Sequence, residues 1–223
     1  MLSLLAFGIL SSMNASTALP SGFASLVPSR VAVLLVDFQN DFCSPERSPD
    51  ATPTNTLNSI TAHRANAFAR RAAALGAQVV YTRQILDLAR LTPRQRRWEE
   101  PDGLCAAGSW GAELYVDPLP GAHLVTKHRF DIWQSSEFLT LLDRLDIDGL
   151  VIAGVELRCC VLYAVLGADE RGYHYLVAQD LVSGLDPGRD TYNRAVRDYL
   201  RRVHGAVESA EVLLEAWTAQ QAE

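Results

Sequence analysis

Short runs of consecutive apolar residues alternate with longer amphipathic stretches along this chain. Unbroken apolar runs are typical of strands that are buried on both faces, as in a parallel sheet. The pattern predicts strands at residues 31–37, 78–83, 123–127, 150–154 and 173–179, and a weak last strand at 206–208.

The amphipathic stretches between these strands predict helices at residues 55–75, 135–145, 160–171, 190–203 and 210–219. Gly76 and Gly172 follow the first and third of them, and glycine commonly ends a helix. Strand–helix alternation from one end to the other indicates a doubly wound α/β domain. Such a domain has a mostly parallel sheet with helices on both faces.

The alternation covers residues 30–219, which we predict to form one domain with tails at 1–29 and 220–223. A chain of 223 residues is long enough to bury an ample core. Residues 1–10 are similar to a short signal core, but no Lys or Arg precedes them and they are too short to span a bilayer. We therefore favour a true start at Met13, or an apolar tail, over secretion.

Composition narrows the classes of function. The hydrophobic content of 48% and the charged content of 21% are typical of a soluble globular protein. The formal net charge of −6 argues against binding to nucleic acid. The four cysteines have no zinc spacing and are too few for a disulfide scaffold. Because a working thiolate needs a reducing compartment, we expect a cytoplasmic protein without a membrane partner.

Three chemically different side chains follow predicted strands. Asp37 ends the first strand, Lys127 ends the third and is the only lysine in the chain, and Cys160 lies six residues beyond the fourth. Ligands of open parallel sheets bind at the carboxyl ends of the strands. An acid, an ammonium and a thiol at that edge indicate a nucleophilic cysteine site.

Each of the three residues also has an ordinary structural explanation. A cysteine is commonly a small buried hydrophobe, a strand-end aspartate caps a turn, and a strand-end lysine reaches out to solvent. Their coincidence at one edge favours the functional interpretation. We expect Lys127 and the start of a helix to lower the pKa of the Cys160 thiol. Asp37, desolvated by the apolar strand before it, would carry the thiol proton to a leaving amine.

Three motifs, in order, resemble those of the isochorismatase-like cysteine hydrolases. They are VAVLLVDFQNDF at 31–42, LVTKHRF at 124–130 and GVELRCCV at 154–161. The similarity extends over roughly residues 30–217. A further segment, GSWGAEL at 108–114, is similar to one in members that act on ureido and carbamoyl compounds.

The resemblance implies a triad of Asp37, Lys127 and Cys160 in a six-stranded parallel sheet, usually in a homo-oligomer. It also implies a cis peptide bond between Val155 and Glu156. That bond would direct the backbone N–H groups of Glu156 and Cys160 towards the carbonyl oxygen of the substrate. Two such donors would stabilise the developing oxyanion.

This chain departs from the family pattern beside the nucleophile. Leu157 stands where threonine is usual, and Arg158 replaces an acidic or amide residue. Both changes remove hydrogen bonds that brace the turn, so substrate preference and even activity stay open. Arg158 would add a second cation beside Cys160 if it pointed inward. Redox pairing of Cys159 with Cys160 is disfavoured, because adjacent side chains at a helix start point apart.

The resemblance also separates branches of the family. Nicotinamidases bind a metal through Asp-x-His after the second strand, but YTRQILD at 81–87 has no histidine. We therefore predict no metal, no cofactor and no nicotinamidase activity. The isochorismate-cleaving branch works without the nucleophilic cysteine, so Cys160 favours amide chemistry.

The sequence thus predicts a cysteine-dependent amidohydrolase that would cleave a C–N bond of a small carboxamide or ureido compound through a covalent acyl-enzyme. We expect a small-molecule substrate and a homodimer or homotetramer. Small ligands are held mainly by apolar and aromatic surface. The candidates for the pocket wall are therefore four aromatic residues, Phe42, Trp110, Phe130 and Trp133. Each of them could instead belong to ordinary core or loop packing. The competing hypothesis is a family member that has lost hydrolysis and serves as a binding or interaction protein.

Overall fold

The computed structural model describes residues 19, 21–46, 53–183, 190–204 and 207–221. The predictions made for residues 1–18, for Ala206 and for residues 222–223 lie outside the described residues. So does part of the long connection after the first strand, at 47–52.

Six parallel strands form one sheet, in the order β3-β2-β1-β4-β5-β6. The strands are β1 (Val31–Val36), β2 (Gln78–Gln84), β3 (His123–Lys127), β4 (Gly149–Gly154), β5 (His174–Val182) and β6 (Val207–Glu208). Every residue of β1 and β4 is buried, as their unbroken apolar runs predicted. The doubly wound α/β fold is therefore confirmed.

The helices lie between the strands, close to their predicted positions. They are α1 (Ser21–Ala24), α2 (Asn40–Cys43), α3 (Pro53–Ala74), α4 (Ser136–Arg144), α5 (Leu162–Asp169), α6 (Asp190–Tyr199) and α7 (Ala210–Gln221). One predicted start was wrong: α5 begins at Leu162. A π-type turn at Leu157–Val161 comes first, and it is kinked at Cys159, whose φ of −121° and ψ of −106° are not helical. A second π-helical turn, Leu200–His204, follows α6.

The two faces of the sheet are covered by separate apolar cores. Alternate residues of β1 point to opposite faces, so that Val33 packs with α3 and α7 while Leu34 packs with α4 and α5. Helices thus cover both faces, as a doubly wound fold requires. Within the described residues, no helix is both long and apolar enough to span a membrane.

The packed part of the chain begins earlier than the predicted domain boundary at residue 30. Phe23 in α1 is only 1% exposed and lies in the core formed with α3 and α7. A side chain on Gly149, at the start of β4, would collide with Leu26, so this segment also fits closely against the sheet. The reason is that the amino-terminal segment covers apolar surface which the sheet would otherwise expose.

The long connection between β2 and β3 is held against the segment after β1. The backbone N–H of Asn40 donates to Glu113 O (2.9 Å), and the Asn40 side chain donates to Trp110 O (2.8 Å). Asp41 accepts from the backbone N–H of Cys105 at 2.6 Å. These bonds hold the connection beside the carboxyl ends of the strands, where the site predicted from the sequence lies.

Candidate active site

Asp37 directly follows β1 and is fully buried. Its φ of 52° lies in the left-handed region, which aspartate adopts more readily than most residues. Two contacts with Thr82 of β2 hold it there. The Thr82 hydroxyl donates to Asp37 Oδ1 at 2.7 Å and accepts from the Asp37 backbone N–H at 3.2 Å. The other carboxylate oxygen, Oδ2, is left facing Lys127.

Lys127 ends β3 and is 3% exposed, so it does not reach out to solvent. Its Nζ lies 2.6 Å from Asp37 Oδ2 and 3.3 Å from Cys160 Sγ. The same ammonium donates to the carbonyl oxygen of Arg129 at 3.1 Å. The ammonium therefore bridges the carboxylate and the sulfur, and a backbone carbonyl fixes it from a third side.

Cys160 lies in the π-helical turn that precedes α5 and is 5% exposed. Besides Lys127, its sulfur has the side chain of Gln84 as a neighbour, with Oε1 at 3.8 Å. The structure thus brings Asp37, Lys127 and Cys160 together at the carboxyl edge of the sheet, where strand order reverses between β1 and β4.

Burial and the neighbouring charges determine the resting protonation of this cluster. Burial is the largest influence and acts to lower the pKa of Lys127, but the Asp37 carboxylate and the Cys160 sulfur together outweigh it and raise the pKa above the ordinary lysine value. Burial raises the pKa of the Cys160 thiol, and Asp37 raises it further, while Lys127 offsets this only in part. The raised pKa of Cys160 favours the neutral thiol, beside the ion pair that Lys127 forms with Asp37.

This state differs from the expectation that Cys160 would have a lowered pKa. The lysine and the helix start favour a lower pKa of the thiol, as expected. However, the burial of the sulfur and the carboxylate next to it raise that pKa, and their effect is larger. A neutral thiol must lose its proton during attack, and the adjacent carboxylate is the group that can accept it.

The turn between β4 and Cys160 presents backbone to the site. The Val155–Glu156 peptide bond is cis, as the resemblance implied. Gly154 has a φ of 138°, and a side chain there would lie 2.3 Å from Val36 O, so only glycine fits. Among the described residues, the backbone N–H of Glu156 has no acceptor.

Arg158 does not act on the nucleophile. Its guanidinium pairs with the carboxylate of Glu156, with both Nε and Nη2 3.0 Å from Oε2. It contributes to lowering the pKa of Cys159, although burial raises that pKa overall, and it has no part in the shift at Cys160. Arg158 and Glu156 instead form an ion pair within the turn, at a position where the family pattern has a residue other than arginine.

The aromatic residues predicted for the pocket wall have different surroundings. Phe130 is 39% exposed and lines a cavity of about 770 Å³ that reaches Lys127. Trp110 is also partly exposed, on the connection between β2 and β3, whereas Phe42 packs against the core. Trp133 is 2% exposed, and its indole N–H donates to Ala164 O at 3.0 Å.

The assignment of Trp133 to the pocket wall is therefore wrong. A side chain on Gly167 of α5 would lie 2.0 Å from the indole ring, so the tryptophan fills the space that this glycine leaves. Its ring also packs on Phe138 and under the guanidinium of Arg171. Burial against α5, rather than exposure to a ligand, explains an aromatic residue at this position.

Two site residues were missed by the sequence analysis, Thr82 and Gln84 of β2. The backbone of Gln84 is fixed by the buried side chain of Gln39, which accepts from its N–H (2.7 Å) and donates to its carbonyl (2.8 Å). A polar Thr at the end of an apolar strand was a usable signal. However, its importance depends on β2 lying beside β1, and the sequence does not specify the strand order.

The contacts of Thr82 predict that it positions Asp37. Valine has nearly the same shape as threonine but no hydroxyl. We expect Thr82→Val to lower kcat about 10-fold with little change in KM, because one lost hydrogen bond to a charged group corresponds to about 1.5 kcal/mol or more. Thr82→Ser restores the hydroxyl and should recover most of the rate. Steady-state kinetics of both variants checks this, and equal losses in the two would contradict it.

No group of three or more His, Cys, Asp or Glu side chains that could hold a metal ion occurs in the described part of the chain. The absence of a metal remains a prediction. Cys43 and Cys105 are buried, and burial is the largest cause of the raised pKa of each. Cys159 is partly exposed, so it is the thiol that competes with Cys160 for reagents.

A family model described as the isochorismatase domain matches residues 31–206 of the chain. The match covers β1 to β5 and ends just before β6, and it contains Asp37, Lys127 and Cys160. The region matched is thus the sheet that forms the site.

Three crystal structures illustrate the similarity of the fold. A cysteine hydrolase from Pseudomonas syringae pv. phaseolicola 1448A has a TM-score of 0.77 at 17% identity, covering 87% of this chain and 95% of that one. An isochorismatase family protein from Desulfovibrio vulgaris subsp. vulgaris str. Hildenborough has a TM-score of 0.72 at 24% identity, covering 85% and 98%. N-carbamoylsarcosine amidase from Thermoplasma acidophilum has a TM-score of 0.65 at 24% identity, covering 81% and 96%. At these identities, the likeness establishes the fold.

Proposed function

This chain belongs to the isochorismatase family, and from that premise we propose that it is a cysteine-dependent hydrolase. It cleaves a C–N bond of a small carboxamide or ureido compound through a covalent acyl-enzyme. The observation that carries the proposal is the position of Lys127 Nζ, in contact with both Asp37 Oδ2 and Cys160 Sγ. Such a bridge places a proton acceptor, a cation and a nucleophile within one site.

The first step is attack by the sulfur on the substrate carbonyl carbon. Asp37 takes the thiol proton as the S–C bond forms, and the Lys127 ammonium stabilises the negative charge that sulfur and carboxylate share. The carbonyl oxygen becomes an oxyanion, which the backbone N–H groups of Glu156 and Cys160 bind. The uncharged resting thiol suits this step, because proton transfer and attack are coupled.

The second step breaks the C–N bond. Asp37 returns its proton to the nitrogen, which leaves as ammonia or an amine, and a thioester remains on Cys160. Water then attacks the thioester and gives a proton to Asp37. Collapse of that intermediate releases the acid, or a carbamic acid from a carbamoyl group, and Asp37 reprotonates the sulfur. Atoms and protons balance over the cycle without a cofactor.

The cavity beside Lys127 is consistent with a small substrate. At about 770 Å³ it lies within the usual range for small-molecule pockets. Phe130 and Tyr163 form an aromatic pair on its wall, with ring centroids 6.1 Å apart. The four free thiols suit a reducing compartment, and we place the protein in the cytoplasm. We also propose a homo-oligomer, which light scattering of the purified protein would test.

The direct test is release of ammonia from a panel of small carboxamides and ureido acids. We expect turnover of at least one compound by the natural protein and none by Cys160→Ser, since serine at this position is a far weaker acid than the thiol. The acyl-enzyme should appear in mass spectra of the protein quenched during turnover. An active Cys160→Ser variant would contradict the nucleophilic role.

The competing function, a binding protein without hydrolysis, is distinguished by alkylation with iodoacetamide at neutral pH. We expect Cys160 to be labelled fastest despite its burial, because Asp37 can accept its proton. Cys159→Ala, which removes the more exposed neighbour, should leave that rate unchanged. Faster labelling of Cys159, or slow and similar labelling of all four thiols, would favour the binding protein.

A further inference from the structure

Gln84 holds an amide group beside the nucleophile. Its Oε1 lies 3.8 Å from Cys160 Sγ, within reach of the thiol proton. Gln39 pairs with both the N–H and the C=O of Gln84, at 2.7 and 2.8 Å, and Gln39 is itself fully buried. The Gln39 side chain thus makes the two hydrogen bonds that a neighbouring strand would make with the backbone of Gln84. This fixes the backbone from which the Gln84 side chain extends.

The order of the strands places Gln84 on one side of the reacting carbonyl. Along the carboxyl edge of the sheet, Lys127 ends β3, Gln84 ends β2, Asp37 follows β1, and the turn with Glu156 follows β4. In the proposed reaction the carbonyl oxygen faces the backbone N–H of Glu156, on the β4 side. The leaving nitrogen receives its proton from Asp37, so it lies towards β1 and β2, next to Gln84.

Proton transfer in the first step changes what Gln84 can bind. In the resting site, Oε1 is within hydrogen-bond reach of the Cys160 thiol, at 3.8 Å. Once that proton has moved to Asp37, Oε1 has lost its donor, and a partly buried acceptor without a donor is unfavourable. A leaving group that carries an N–H replaces the lost donor at that moment. An ester oxygen offers only lone pairs and leaves the acceptor unsatisfied.

We propose that Gln84 is a specificity-determining residue that selects leaving groups bearing an N–H. The substrates are then primary carboxamides and ureido compounds, in preference to esters of the same acids. This inference rests on the proposed function. Sites built to hydrogen-bond a substrate N–H reject analogues that lack it, because the buried polar group of the site is left unpaired.

The test compares one pair of probes in Gln84→Leu. The pair is the primary carboxamide with the highest kcat/KM in the panel and the methyl ester of the same acid. Leucine has nearly the same size and no acceptor. We expect Gln84→Leu to lower kcat/KM for the carboxamide by about 10- to 100-fold, which is the loss expected when one or two hydrogen bonds to the substrate are removed. The ester should change less than about threefold, since it makes no such bond.

Gln78→Leu is the matched control, because Gln78 lies on the same strand at the opposite, amino end. It should change neither probe. Equal losses of amide and ester turnover in Gln84→Leu would overturn the inference, since Gln84 would then act through the thiol alone. An unchanged amide rate would overturn it too. If the natural protein hydrolyses no carboxamide of the panel, the proposed function is contradicted, and this inference with it.

Discussion

Asp37→Asn is expected to lower kcat by about 10²- to 10⁴-fold, the range that general acid–base groups contribute. Asparagine keeps the shape, tolerates the left-handed φ of 52° and can still accept the Thr82 hydroxyl, so the local structure should persist. It cannot accept the thiol proton or return it to the leaving nitrogen. Steady-state kinetics on the best compound of the panel measures the loss.

A second readout separates this loss from simple damage to the site. Asp37 raises the pKa of Cys160, whereas Lys127 lowers it. Removing the carboxylate charge leaves the lowering contribution, so the thiol of Asp37→Asn should titrate at lower pH than in the natural protein. The pH dependence of iodoacetamide labelling checks the direction. Near-normal turnover, or a thiol that titrates at higher pH, would remove Asp37 from its proposed role.

Lys127→Arg is expected to lower kcat at least about 10²-fold, the typical effect of displacing a reacting group by about 1 Å. The charge is retained, but a planar guanidinium cannot place one nitrogen 2.6 Å from Asp37 Oδ2, 3.3 Å from Cys160 Sγ and 3.1 Å from the carbonyl of Arg129. Because Lys127 is only 3% exposed, the larger arginine side chain also forces the sulfur or the carboxylate aside.

Lys127→Met removes the positive charge that Lys127→Arg retains, so the two variants separate the effect of charge from that of shape. It leaves Asp37 buried without its cation, which typically destabilises a protein by about 3–5 kcal/mol. We expect a lower melting temperature for Lys127→Met than for Lys127→Arg, and loss of turnover in both. Arg71→Lys, on a surface ion pair with Glu211, serves as the control for an arginine–lysine exchange. Turnover close to normal in Lys127→Arg would show that the mechanism needs a positive charge but not lysine.

The strands could be located from the sequence because burial on both faces requires continuous apolar runs. The predicted strand at 123–127 is confirmed without change, and the bounds of the other strands moved by at most a few residues. The start of α5 was less predictable. Nothing local to CCVLYA marks the non-helical backbone of Cys159, which separates the turn at Leu157–Val161 from α5. The residues just before this kink are hydrogen-bonded to Ser183 and Val36, which lie far away in the sequence.

Surface and core aromatic residues were harder to separate. Trp133 and Phe130 lie three residues apart after the same strand, yet one is 2% and the other 39% exposed. Hydrophobic pattern identifies an aromatic residue near the site, but not which way its ring points. For Trp133 the direction is set by Gly167, which lies on a different helix and leaves space for the indole.

By itself, the sequence determined the alternation of strands and helices, and hence that Asp37, Lys127 and Cys160 would lie at one edge of a parallel sheet. Local chemistry is sufficient for that, because strand ends are marked by where an apolar run stops. Only the tertiary structure decided that Lys127 reaches across the end of β2 to Asp37, that Thr82 and Gln84 join the site, and that the pKa of the thiol is raised rather than lowered. Those properties depend on strand order and burial, which are produced by contacts between residues far apart in the chain.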